Sequence, residues 1–87
     1  MSLEEIRVYP NPFRDELEVE YIGQAGIPLE MRMLDMKGRE ILNEQRDYRE
    51  DNRYRVELRG EELSMGVYLL EVRQGDRRKL VKVISKK

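Results

Sequence analysis

The chain contains no cysteine and no histidine. Without thiols there is no disulfide framework and no thiolate metal site, and the redox character of the compartment leaves no trace. Without imidazole or thiol, the commonest general base and the softest nucleophile are both missing. Tryptophan and threonine are absent too, and one phenylalanine beside five tyrosines leaves too few rings for a base-stacking platform. No apolar run is long enough for a membrane span or a signal peptide. Apart from tyrosines, the hydroxyl nucleophiles are Ser2, Ser64 and Ser85, none of them in a motif with a base. There is no glycine-rich phosphate loop. Asp47, Glu50 and Asp51 are interleaved with Arg46, Arg49 and Arg53, which oppose a cation, and the EF-hand spacing is missing. The 18 carboxylates mostly alternate with apolar residues, as on a solvated strand face. The chain therefore reads as a non-enzyme with no metal and no cofactor.

What is present is charge and alternation. The 87 residues suit one modest domain, placed at 4–86, burying roughly two thirds or less of its unfolded surface. Charged residues make up 40%, yet the net charge is only −1, which argues against a partner held by bulk charge such as nucleic acid. The balance is uneven: residues 73–87 carry +6 and the first 72 carry −7. Met1-Ser2-Leu3 followed by glutamates reads as the start of an expressed fragment, so a leader for export would lie outside it.

The dominant period is two. Ile6 and Val8, then Leu17, Val19 and Tyr21, then Leu29, Met31 and Met33, then Tyr54, Val56 and Leu58 each alternate with charged or polar neighbours. This predicts half-buried strands, seven in all, near 4–9, 15–22, 28–35, 39–45, 53–59, 66–73 and 77–85. Helix is expected only as a short turn near Glu61 to Ser64. Asp35-Met36-Lys37-Gly38 has the chemistry of a type I turn closing a hairpin, and Gln74-Gly75-Asp76 that of a tight hairpin. The polar stretch Glu44 to Asn52 is too long for a hairpin and reads as a crossover between sheets. The expected fold is all-β: a seven-stranded antiparallel Ig-like β-sandwich.

Two motifs shape that sandwich. In Tyr9-Pro10-Asn11-Pro12-Phe13 the prolines remove two ladder donors and bend the chain from the first strand towards the second. Leu63-x-x-Gly66-x-Tyr68 has the order of a tyrosine corner, with Leu63 plugging the core, Gly66 making the turn and Tyr68 sending its hydroxyl back to upstream backbone. The last two strands, by contrast, are apolar on both faces. If Tyr68, Leu70 and Val72 face the core, Val67 and Leu69 face out. On the final strand, one of the pairs Val81/Val83 and Leu80/Ile84 must join them. The resulting patch, rimmed by Arg78, Lys79 and Lys82, suits a partner surface, unless a loop or the first strand covers it. The lysines also suit plain protection of an edge strand.

The order Val8-Tyr9-Pro10-Asn11-Pro12-Phe13, Leu34 to Arg39 with Asp35 and Gly38, Leu63 to Val72 with Gly66 and Tyr68, and the lysine-bearing strand Lys79 to Ile84 resembles a type A C-terminal sorting domain of the type IX (Por) secretion system of Bacteroidota. The likeness covers residues 5–86. It implies an Ig-like domain at the end of a large secreted protein, passing through the periplasm on its way to the cell surface. Its implied partners are the outer-membrane translocon, a shuttle protein and a surface sortase that removes the domain from its upstream cargo. Pro10, Asn11, Pro12, Asp35, Gly38, Leu63, Gly66 and Tyr68 are read as structural. Val67, Leu69, Lys79, Val81, Lys82, Val83 and Ile84 are read as the docking residues. The isolated domain is expected to be a monomer or weak homo-oligomer, not inserted in a membrane. The alternative readings are a fibronectin-like or Ig-like adhesion or carbohydrate-binding module, and a purely structural sandwich.

Overall fold

The computed structural model describes residues 6–61 and 63–86. Seven strands follow in order: β1 (Ile6–Tyr9), β2 (Glu16–Tyr21), β3 (Leu29–Asp35), β4 (Glu40–Arg46), β5 (Arg53–Glu57), β6 (Gly66–Gln74) and β7 (Arg77–Ser85). They form a three-stranded sheet in the order β1-β2-β5 and a four-stranded sheet in the order β4-β3-β6-β7. All strand pairs are antiparallel. One isolated parallel bridge joins Phe13 to Ser85. The inward residues of both sheets meet in one core that includes Leu17, Val19, Tyr21, Met31, Met33, Tyr54, Val56, Leu70 and Val83.

Period-two alternation places these strands because side chains alternate across a pleat, so one face of each strand is dry and the other wet. The expected hairpin turn is built by Asp35. Its carbonyl accepts from Gly38 N–H at 3.0 Å, and its Oδ1 accepts from the amides of Lys37 and Arg39 at 2.9 and 2.8 Å. Gly38 sits at φ 85°, where a side chain would be strained. No helix occurs among the described residues. At the site of the expected helical turn, Glu61 N–H bonds Leu58 O at 3.1 Å and Leu63 N–H bonds Glu61 O at 3.1 Å. Glu62 lies outside the described residues.

The connections differ from the expected single crossover. The chain changes sheet three times, between β2 and β3, between β4 and β5, and between β5 and β6. The extra crossings follow from strand order, which periodicity does not encode. Side chains hold two of them, one from a distant strand and one from close by. Gln74, buried on β6, accepts from Gln24 N–H at 2.8 Å and donates to the carbonyls of Gln24 and Ile27 at 2.8 and 2.7 Å. Gly23 is required there, since a Cβ would lie 2.4 Å from Gln74 Oε1. In the second crossing, the amide of Arg49 donates to the Tyr54 hydroxyl at 2.8 Å, and Tyr48 donates its hydroxyl to Asn52 Oδ1 at 2.6 Å.

Candidate functional site

The corner forms as its spacing predicts. The Tyr68 hydroxyl donates to Ser64 O at 2.8 Å, Leu63 and Tyr68 are buried, and Gly66 turns onto β6 at φ 147°. The Pro10-Asn11-Pro12 segment does more than bend. Both X-Pro bonds, Tyr9-Pro10 and Asn11-Pro12, are cis. Beyond them Phe13 enters the core, and its main chain pairs with β7: Phe13 N–H to Ile84 O at 2.8 Å and Lys86 N–H to Phe13 O at 2.8 Å. Between the two prolines, Asn11 imitates a peptide group. Its Oδ1 accepts from Ile84 N–H at 2.9 Å and its Nδ2 donates to Lys82 O at 3.2 Å. The segment thus clamps the end of the last strand. Tyr9 instead stays with its own sheet, donating its hydroxyl to Glu20.

Register then divides the residues expected to dock between two faces. Ile84 lies opposite Val67, Lys82 opposite Leu69, Leu80 opposite Glu71 and Arg78 opposite Arg73. These point away from the core, with Leu80 49% and Ile84 39% exposed. Val67 and Leu69 are half-buried on the same outward face. Val83 lies on the other face and is fully buried, and Val81 packs against the core beside it. Lys79 shares their side of the strand and is half-buried. Of the seven residues expected to dock, four (Val67, Leu69, Lys82 and Ile84) therefore share the outer face. Val81 and Val83 belong to the interior, because a residue pair two apart on a strand shares one face.

Leu34 extends the outer apolar patch, lying opposite Leu69 on the neighbouring strand. The other half of the face is ionic. Glu71, only 2% exposed, receives Arg32 Nε at 2.8 Å from one flanking strand and lies 3.5 Å from Arg78 Nε of the other. Arg32 also reaches Glu40 at 3.4 Å, and Arg73 reaches Glu30 at 3.8 Å. The Arg32 hydrogen bond holds the Glu71 carboxyl below its ordinary range, against the opposing effect of burial. The face is thus an apolar half beside a neutralised charged half, bordered by the cations of β7.

Sequence reasoning left Leu80 out of the docking set, although its alternation with Ile84 was visible. It also missed the burial of Glu71 and the clamp by Asn11. No local signal marks these, since their partners lie 39 and 71–73 residues away along the chain. The candidate metal ligands Asp47, Glu50 and Asp51 form no metal-holding group, and no cluster of three or more acidic side chains suited to an ion occurs among the described residues.

The model of a family described as the secretion system C-terminal sorting domain matches residues 7–86. Among solved structures, the chain is similar to one described in work on PorZ, an essential bacterial surface component of the type-IX secretion system of Porphyromonas gingivalis. The TM-score is 0.70 and the identity 22%, over 94% of this chain and 11% of that one. The chain spans about a tenth of that protein, and the likeness establishes the Ig-like sandwich. No curated protein matches the chain.

Proposed function

The chain belongs to the family of secretion system C-terminal sorting domains, and from that premise we propose that it carries an upstream cargo through the outer-membrane type IX translocon to the cell surface. On this reading a shuttle protein holds the domain and a surface sortase cuts it from the cargo. The domain is a type IX sorting signal, so its surface acts as a ligand. The observation that carries the finer reading is the outer face of β6 and β7, where Val67, Leu69, Leu80 and Ile84 stand in or near solvent beside Arg78 and Lys82. Contiguous apolar surface of this kind on a small domain marks a partner site. No helix among the described residues is long and apolar enough to cross a membrane.

The adhesion-module reading finds less support in the loops. The polar side chains of Asp35 and Asn52 are engaged by neighbouring backbone and side chains, and Gln74 is buried.

The test is a secreted reporter fused ahead of the domain in type IX-competent cells. The fusion should reach the surface, and Leu69→Glu with Ile84→Lys should hold it in the periplasm while leaving the domain folded. Truncation after Lys82 is a poorer test, because it removes buried Val83 with the exposed residues. Unimpaired export of the folded double variant would refute docking through this face.

A further inference from the structure

β7 is the edge of the four-stranded sheet, and among the described residues its outer edge is paired along only part of its length. On an antiparallel edge strand, alternate residues turn both backbone groups away from the neighbour. The clamp identifies which residues these are: Lys82 O, both backbone groups of Ile84 and Lys86 N–H all face Asn11 or Phe13. The same parity turns the N–H of Lys82 and both backbone groups of Leu80 and Arg78 outward. They meet no hydrogen-bond partner among the described residues. The clamp stops there because Pro10 and Pro12 have no N–H to offer and β1 departs to pair with β2 in the other sheet.

We propose that this open half of the β7 edge is a strand-addition site, taking an extended acidic segment of a secretion partner. The proposal deepens the sorting function above and rests on that reading for the identity of the partner, though not for the binding itself. Main-chain hydrogen bonds to Arg78, Leu80 and Lys82 supply the pairing, as in β-augmentation generally. Side chains supply the selection. On the outward face of this stretch stand two cations, Arg78 and Lys82, and no carboxylate. Arg78 and Lys82 flank Leu80 on the outward face, and the side chain of Arg78 is 60% exposed. Directly opposite side chains on antiparallel strands interact. An added strand therefore fits best with acid, apolar and acid at alternate positions, facing Lys82, Leu80 and Arg78. The same charges argue against a second copy of this chain, since pairing β7 with β7 sets cation against cation.

The probe is a nine-residue peptide, Glu-Ser-Val-Ser-Glu-Ser-Val-Ser-Glu, added to the 15N-labelled domain. The expected result is saturable binding with shifts at the amides of Arg78, Leu80 and Lys82. Hydrogen exchange at Leu80 and Lys82 should slow by about tenfold or more. Added salt should weaken binding, and a peptide with lysine for glutamate should not bind. Absence of saturable binding, shifts confined to Val67, Leu69 and Ile84, or self-association through β7 would each overturn the proposal. Leu80→Pro removes an outward N–H without touching the ladder to β6 and should cut peptide affinity about tenfold. If that variant does not fold, Arg78→Glu with Lys82→Glu should do the same, and unchanged affinity in a folded variant counts against the site. In cells the two ideas separate. If the unaltered domain fails to export its cargo, the sorting reading fails while the peptide result stands. If it exports, and a folded edge variant exports equally well, the edge proposal fails alone.

Discussion

The outer faces of the two sheets meet the same solvent but are built on opposite plans. On the three-stranded sheet the outward residues are Arg7, Tyr9, Glu16, Glu18, Glu20, Arg53, Arg55 and Glu57, with no aliphatic side chain among them. Opposite charges face one another across the strands: Arg55 lies 3.0 Å from Glu16 and Glu18, and Arg7 lies 3.6 Å from Glu20. Arg7 also sits over the Tyr9 ring at 5.7 Å. On the four-stranded sheet, Leu34, Val67, Leu69, Leu80 and Ile84 occupy the corresponding positions. Its charges are gathered around buried Glu71. A sequence with 40% charged residues had ample means to solvate both faces. It does so on one, and the other keeps apolar surface that folding alone does not require. The first face thus serves as an internal control for the second.

The comparison breaks first at the core beneath both faces. Phe13→Ala should lower stability by about 3–5 kcal/mol in urea denaturation, because it empties a fully buried site and loosens the clamp on β7. Neighbours on β7 should next divide fold from docking. Val83→Ala is expected to cost about 1.5–3 kcal/mol, whereas Ile84→Ala should cost less than about 0.5 kcal/mol and still reduce surface delivery of a fused cargo. Equal effects of the two on stability would erase the distinction between the faces.

The ionic half of the same face carries a pH signature. The folded-state value of Glu71 lies below the ordinary 4.5. A depressed carboxylate contributes stability that is fully present above the ordinary value and is lost as pH falls through the folded one. Acid titration of stability should therefore be shallower in Glu71→Gln than in the unaltered domain. Asp35 and Asp51 are depressed too, by backbone amide donors at Asp35 and chiefly by Arg49 at Asp51, so part of the acid limb will remain. The smallest effect belongs to the control face. Arg55→Ala removes two exposed ion pairs and should leave both the urea midpoint and export close to unchanged. A large loss of export there would move recognition to the other sheet.

Much of the fold was legible because its causes are local. Alternation at period two marks Leu17, Val19 and Tyr21 as one face of one strand whatever that strand later meets. Asp35 and Gly38 close their turn with bonds spanning three and four residues. Tyr68 reaches back only four residues to Ser64. The candidate face was half legible. The excess of apolar residues on the last two strands was visible, but Val81 and Val83 were grouped with Ile84 because a run that is apolar on both faces does not reveal which face is inward.

By itself, then, the sequence determined seven strands, their turns, the tyrosine corner and the absence of thiol and imidazole chemistry. Each follows from backbone preferences or side-chain inventory within a few residues. Tertiary structure decided the rest. Strand order made three crossings where one was expected, and the pairing of β6 with β7 turned Leu80 and Ile84 to solvent and Val83 to the core. Only contact between Arg32, Glu71 and Arg78 allowed a strand glutamate to be buried. Asn11 became a clamp on the last strand because the fold brings it beside a residue 73 positions later. Interactions of this kind depend on which surfaces meet, and no local pattern records that.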